Sequence, residues 1–230
     1  MWLAAVERYG RNVNASILGE YWLSFVIPNW VEYGTGKTNL RAGLVPPLSG
    51  DVDNTYKNSN GCWIRSELWA CLAPGHPEIA TRYAFEDAIV DHADEGMYAE
   101  IFTSAIQSAA FVENDREKLV EIGLSYLPEN CITAQTIRKA VDCYHSGVDF
   151  SEARNRFIIQ HLEHLAFRES RLVKFRQRIM REWNWVQLVL THRRMWHLLC
   201  LAFYMEKAIL ERVLFWQIIA ARILTVRVQR

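Results

Sequence analysis

The stretch PEIATRYAFEDAIVDHADEGMYAEIFTSAIQSAAFVENDREKLVEIGLSYLP, residues 77–128, decides the fold class. Pro77 suits the first position of a helix, where its missing N–H costs nothing. Ile79, Ala80, Tyr83, Ala84 and Ala88 then recur at helical spacing and mark one apolar face. After the acidic break at residues 91–95, a second helix is expected from about Gly96 to Val112. There Tyr98, Ile101, Phe102, Ala105, Ile106 and Ala109 keep the i, i+3, i+4 rule. Asn114 or Asp115 can cap a third helix, which ends before Pro128.

Outward from this stretch, residues 16–25 and 62–72 also read as helices. Asn130 can cap another, with Ala134, Ile137, Val141 and Tyr144 turned inward. Residues 28–57 are rich in Gly, Pro, Asn and Asp and read as one long loop. Its large residues Trp30, Tyr33, Leu40, Leu44 and Val45 argue that the loop is ordered. No segment alternates as a strand would, so an all-α, multi-helix bundle is expected.

The composition breaks near residue 155. All eleven Gly and all six Pro lie in residues 1–155, and residues 156–230 have no Asp. That tail carries 14 Lys+Arg against 5 Glu, a net +9, which leaves 12 against 21, a net −9, for the body. Two parts are therefore expected: a domain at 1–155 and a basic, helical tail at 156–230 whose lack of turn residues is abnormal for a compact fold. The five Cys (Cys62, Cys71, Cys131, Cys143, Cys200) are odd in number and form no C-x-x-C pair, which argues against a disulfide framework or a zinc knuckle. With no signal-peptide pattern and no apolar run of membrane-spanning length, a cytoplasmic location is expected.

Three strings could carry chemistry. Asn58-Ser59-Asn60-Gly61 leads toward Arg65. A helix N-terminus there would offer free N–H groups, Gly61 would allow close approach, and the guanidinium could grip a phosphate. From local pattern alone the default is an Asn-capped helix whose Arg65 faces solvent. Asp91-His92-Ala93-Asp94-Glu95 could supply a metal ligand or a general base, with a solvated acidic loop as the default. Gly36-Lys37-Thr38 lacks the earlier Gly of a phosphate loop, since Val31 stands there, and is rejected. Trp22, Trp30, Trp63 and Trp69 read as core rather than as a ligand platform.

In their order and spacing these strings resemble the ADP-ribosylglycohydrolase family over about residues 1–155. The carrying segments are LGEYWLSFVIPNWVEYGTGKTNLRAGLVPPLSG (18–50), NSNGCWIRSELWACLAPGHPEIATRYAFEDAIVDH (58–92) and GMYAEIFTSAIQSAAFVENDREKLVEIGLSYLP (96–128). The resemblance implies an all-α fold and two magnesium ions. It also implies hydrolysis of the bond joining ADP-ribose to a protein or small-molecule acceptor, through an oxocarbenium-like transition state. It places Asn58, Asn60, Gly61 and Arg65 in an ADP-ribose pocket, His92 on the substrate side, and Tyr98 as a stacking candidate.

The chain departs from the family in its acidic motifs. The early consecutive aspartates would precede the segment matching Trp2-Leu3-Ala4, and no late D-x-D-T/S or D-T-D string is present. Two hard cations need several carboxylates. The expectation is a truncated bundle that binds no magnesium, with little or no activity and no metal ligand to name. The alternative is a non-catalytic ADP-ribose-binding protein, or one whose basic tail meets nucleic acid or anionic lipid. The tail itself is expected to be an out-of-frame product. Read from each third base, Met195-Trp196-His197 forces Val then Ala, Phe203-Tyr204 forces Leu, Met205-Glu206 forces Gly, and residues 220–226 permit CGEDTDC.

Overall fold

The computed structural model of the chain describes residues 1–27 and 29–150, together with Glu152, Ala153 and Arg156. The expected tail helix and the frame reading of residues 191–226 lie outside these residues. Every regular element among the described residues is helical. The helices are α1 (Trp2–Tyr9), α2 (Ala15–Phe25), α3 (Val31–Arg41), α4 (Leu48–Asp51), α5 (Glu67–Leu72), α6 (Pro77–Ala88), α7 (Asp94–Ala109), α8 (Arg116–Ser125) and α9 (Ile132–His145), with single 3-10 turns at Gly10–Asn12 and Trp63–Arg65. The chain divides into two compact units, the first holding Met1–Ala134 and the second the described residues from Gln135 onward.

The first unit is built on α6 and α7, which pack on each other more extensively than any other pair of its elements. The reason is small side chains. Ala80, Ala84 and Ala88 repeat every four residues along α6, while Ala99, Ala105 and Ala109 line α7, and all six are buried. Helices so lined approach closely and exclude water along their whole contact. α8 follows the same logic at Gly123, where a Cβ would stand 2.6 Å from the Phe102 ring and from Ile106. Around this pair, Ala5, Val13, Leu18, Trp22, Val26, Trp69 and Val90 close the main core. In the second unit Ala140 and Ala153 are buried together, with Cys143 and Val148 packed on them.

Side chains from elsewhere in the chain satisfy several helix starts. Glu86 accepts the Ala15 N–H of α2 at 2.7 Å, and Asn58 accepts the Glu95 N–H of α7 at 3.0 Å. Glu95 in turn accepts from the N–H of Ile132 and Thr133 and from the Thr133 hydroxyl, at 2.9, 2.8 and 2.7 Å. Each of these N–H groups would otherwise be an unpaired donor of a first turn. Asp115 caps α8 locally through Glu117 and Lys118, and Asn14 caps α2 through Ile17.

The structure corrects the reading in four places. Residues 28–57 are not one loop, since they contain α3 and α4. Their Gly, Thr and Asn content disfavours an isolated helix, but Gly34 and Gly36 are there for contact. A Cβ at Gly34 would lie 2.3 Å from the Asn29 carbonyl carbon, and one at Gly36 2.9 Å from Asp91 Cβ. Lys37, buried in α3, donates to the Val26 carbonyl. The helix expected over 62–72 is a 3-10 turn followed by the short α5. Ile79 is 44% exposed rather than inward. Of the aromatic set, Trp22 and Trp69 are fully buried, whereas Trp30 is largely exposed.

Candidate functional site

Asp87, near the end of α6, and Asp91, one helical turn later, fall on the same side and face Arg65. Arg65 Nε donates to Asp87 Oδ2 at 2.9 Å, and Nη2 donates to Asp91 Oδ1 at 2.7 Å. Nη1 donates to the Gly61 carbonyl at 2.8 Å. The indole N–H of Trp2 reaches Asp87 Oδ1 at 2.7 Å, and that of Trp69 reaches Oδ2 at 2.9 Å. The rings of Trp2, Trp22 and Tyr33 surround the guanidinium at 5.3, 5.0 and 5.6 Å, a cation–π enclosure. Both aspartate side chains are fully buried. Burial opposes the charge on Arg65, but the two carboxylates hold its pKa well above the ordinary value. Burial likewise opposes the charge on Asp91, yet the guanidinium and His92 hold its carboxyl below the usual range.

A third acid joins this network. Glu100 of α7 is fully buried, and burial followed by the charge of Asp87 pushes its carboxyl pKa well above the ordinary value. Neither of its oxygens meets a donor among the described residues. Protonated, Glu100 can itself donate to Asp87; ionised, it would be an unpaired buried charge. The native state therefore binds this proton more tightly than the unfolded chain, so stability falls as pH rises from the ordinary value of 4.5 through the raised folded value. Glu100→Gln keeps a donor without the ionisation. Urea midpoints across a pH series should show the variant losing that downward slope and overtaking the wild type on the alkaline side. Parallel wild-type and variant curves would contradict the assignment.

The string at residues 91–95 proves to be four separate devices rather than a solvated acidic loop. Asp91 serves Arg65. His92, fully buried, has Nε2 3.0 Å from Ser59 Oγ and Nδ1 2.9 Å from Asp91 Oδ1. Asp94 and Asp51 hold Lys57 Nζ between them at 2.7 and 2.6 Å. Glu95 holds the start of α9.

These contacts fix the 57–61 loop. Ala93 N–H donates to the Lys57 carbonyl at 3.2 Å, and Gly96 leaves room for that carbonyl, which would lie 2.4 Å from a Cβ there. Gly61 lacks a Cβ because the Glu32 carboxylate occupies the space, with Oε1 2.2 Å from the position a Cβ would take. No helix begins at Gly61, so the expected helix N-terminus is absent there and the loop is a succession of turns leading to the 3-10 turn at Trp63–Arg65.

Among the six residues singled out from the sequence, Asn58 caps α7 with its amide oxygen, Gly61 faces Glu32 and Arg65, Arg65 faces two aspartates, and His92 faces Ser59 and Asp91. Asn60 and Tyr98 are half-buried, and their side-chain polar groups have no hydrogen-bond partner among the described residues. Burial, then Cys131 and Glu95, raises the Tyr98 phenol pKa. Sequence reading missed Ser59, Asp87, Asp91 as a partner of Arg65, and Glu100. A lone acid on the small-residue face of α7 was the signal for Glu100.

Among the described residues no group of three or more His, Cys, Asp or Glu is placed to hold a metal ion. Asp87 and Asp91 are already engaged by N–H donors, so these residues do not fit a dinuclear magnesium centre. No described helix is long and apolar enough to cross a membrane. A family model described as ADP-ribosylglycohydrolase matches residues 3–187, a span that holds the 57–61 loop and all of the Arg65 network except Trp2, and runs past the compositional break at 155. Neither curated proteins nor solved structures gave a match.

Proposed function

Since the chain belongs to the ADP-ribosylglycohydrolase family, we propose that it binds the ADP-ribose part of an ADP-ribosylated protein or small molecule at the 57–61 loop and the first turns of α7. We propose further that it does so without cleaving the glycosidic bond. What supports binding is Asn60 in this loop and Tyr98 on α7, a half-buried amide and phenol without a hydrogen-bond partner among the described residues, while the rest of the loop is tied down. An amide can exchange hydrogen bonds with ribose or phosphate oxygens, and a phenol ring can stack on a base or sugar. The absence of cleavage is argued from charge. Hydrolysis through two magnesium ions would supply an activated water and a clamp on the ribose, but the buried carboxylates of this network are turned to Arg65 and two indoles. Arg65, Asn58, Gly61 and His92 belong to the pocket in this reading as its frame, while Asn60 and Tyr98 meet the ligand.

Titration calorimetry with ADP-ribose tests the reading. Asn60→Ala should weaken binding by about three- to tenfold, the effect of one lost hydrogen bond of about 0.5–1.5 kcal/mol. Magnesium should release no ADP-ribose from a modified protein carrier. Magnesium-dependent release by this chain would overturn the non-catalytic assignment, and wild-type affinity in Asn60→Ala would overturn the site.

A further inference from the structure

Asp91, His92 and Ser59 stand side by side: His92 Nε2 shares a hydrogen bond with Ser59 Oγ at 3.0 Å, while Nδ1 lies 2.9 Å from Asp91 Oδ1 without the alignment of a hydrogen bond. Ser59 is only 6% exposed, and His92 and Asp91 are fully buried. A nucleophile must be reached by its substrate and its imidazole aligned by the acid, so these three residues are not a hydrolase triad. What they do have is a connection. One end is the buried Arg65–Asp91 pair in the core, and the other is the middle residue of the 57–61 loop.

We infer that Ser59 and His92 form a relay that positions the loop for ligand, with His92 acting through Ser59 rather than touching the ligand itself. This inference rests on the ADP-ribose reading above. The imidazole is held by its Nε2 contact to Ser59 and by close packing around the rest of the ring. The Asp91 carboxylate lies against Nδ1, and Gly96 is bare where a Cβ would stand 3.0 Å from Cδ2. The peptide segment carrying it is clasped by Asn54, which donates to the Asp91 carbonyl at 2.8 Å, and by Ser49, which donates to the Val90 carbonyl at 2.8 Å. A ring so fixed offers Ser59 one position for its partner. Ser59 directly precedes Asn60, whose amide has no partner among the described residues and meets the ligand in the reading above, so the ring defines where that amide is presented. Loss of the contact leaves the loop joined at Lys57 and Asn58 on one side and at Gly61 on the other, with its centre held only by the backbone bonds from Ser59 N–H to Tyr56 and from Ile64 N–H to Asn60, and able to sample other shapes. A ligand then meets the competent shape for only part of the time, and apparent affinity falls by that fraction.

Ser59→Ala removes only the hydroxyl, while His92→Gln keeps an amide that can reach Ser59 and His92→Ala does not. In the full chain, Ser59→Ala and His92→Ala should weaken ADP-ribose binding by about three- to tenfold, as loss of one ordering hydrogen bond implies, with His92→Gln recovering most of it. Amide hydrogen exchange at position 59 and at Ile64, whose N–H groups donate to the Tyr56 and Asn60 carbonyls, should speed up in Ser59→Ala while exchange in α6 and α7 stays as in the wild type, which a general loss of stability would not produce. Wild-type affinity in Ser59→Ala, or unchanged exchange at position 59 and Ile64, would overturn the relay. If the wild type itself does not bind ADP-ribose, the binding reading fails, and the exchange measurement alone decides whether His92 and Ser59 hold the loop.

Discussion

Replacing Arg65 by methionine should cost about 3–5 kcal/mol of stability, because it leaves buried carboxylates without their counter-charge. The side chain is 10% exposed, its partners Asp87 and Asp91 are fully buried, and solvent therefore screens little of the loss. Measured against a total of about 5–15 kcal/mol for a typical domain, the variant should unfold at a small fraction of the wild-type urea concentration, or fail to accumulate. Tryptophan fluorescence is the natural probe, since Trp2, Trp22 and Trp69 all line the network. Lysine should not rescue, because a single ammonium cannot reproduce the separate Nε, Nη1 and Nη2 bonds by which the planar guanidinium reaches Asp87, the Gly61 carbonyl and Asp91. The acid limb should change too. Stability lent by Asp91 is in place above the ordinary carboxyl value of 3.8 and is lost as pH falls through its lowered folded value; without Arg65 that loss should shift to higher pH. A penalty below about 1 kcal/mol would place the pair among interactions of surface strength, and the network would not be what holds this region.

Gly50→Ala is the second large effect expected. A Cβ on Gly50 would stand 2.3 Å from the His92 carbonyl oxygen, 2.8 Å from that of Ile89 and 2.9 Å from His92 N. These are backbone atoms, so no rotamer change relieves the clash, and either α4 or the 89–92 segment must move. Overpacking of this kind costs about 1–3 kcal/mol and sometimes more. Because the displaced segment carries Asp91 and His92, thermal denaturation should show the penalty, and amide exchange should show the 57–61 loop loosened. A variant with the wild-type midpoint would mean that the segment yields freely.

Much of the helical framework was legible because apolar periodicity and capping are local. Pro77 opens α6, Asp115 caps α8, and the face of α7 was read from its i, i+4 repeats. α3 escaped notice for a physical reason. Its Gly, Thr and Asn residues argue against a helix in isolation, and only the close approach of Asn29 and Asp91 explains them. The candidate site was half legible. Asn58, Asn60, Gly61, Arg65, His92 and Tyr98 do lie on or beside one loop and helix start, but which of them face inward depends on partners at other positions. Arg65 reads as a free cation until Asp87 and Asp91 are found 22 and 26 residues away. The acidic string at 91–95 reads as one solvated feature, whereas its members point to separate elements. Ser59, a small residue between two asparagines, carries no signal of its own until His92 is seen against it.

The bond between the Trp2 indole and Asp87 joins residues 85 apart. Synthesis proceeds at about 5–20 residues per second, so α1 waits on the order of ten seconds after it is made for the carboxylate that seals it. In that interval Trp2, Trp22 and the guanidinium of Arg65 have no finished enclosure, and the nascent segment is a surface that chaperones and proteases can read. Manufacture and closure are thus separated in time: α1 is made well before the acid that locks it.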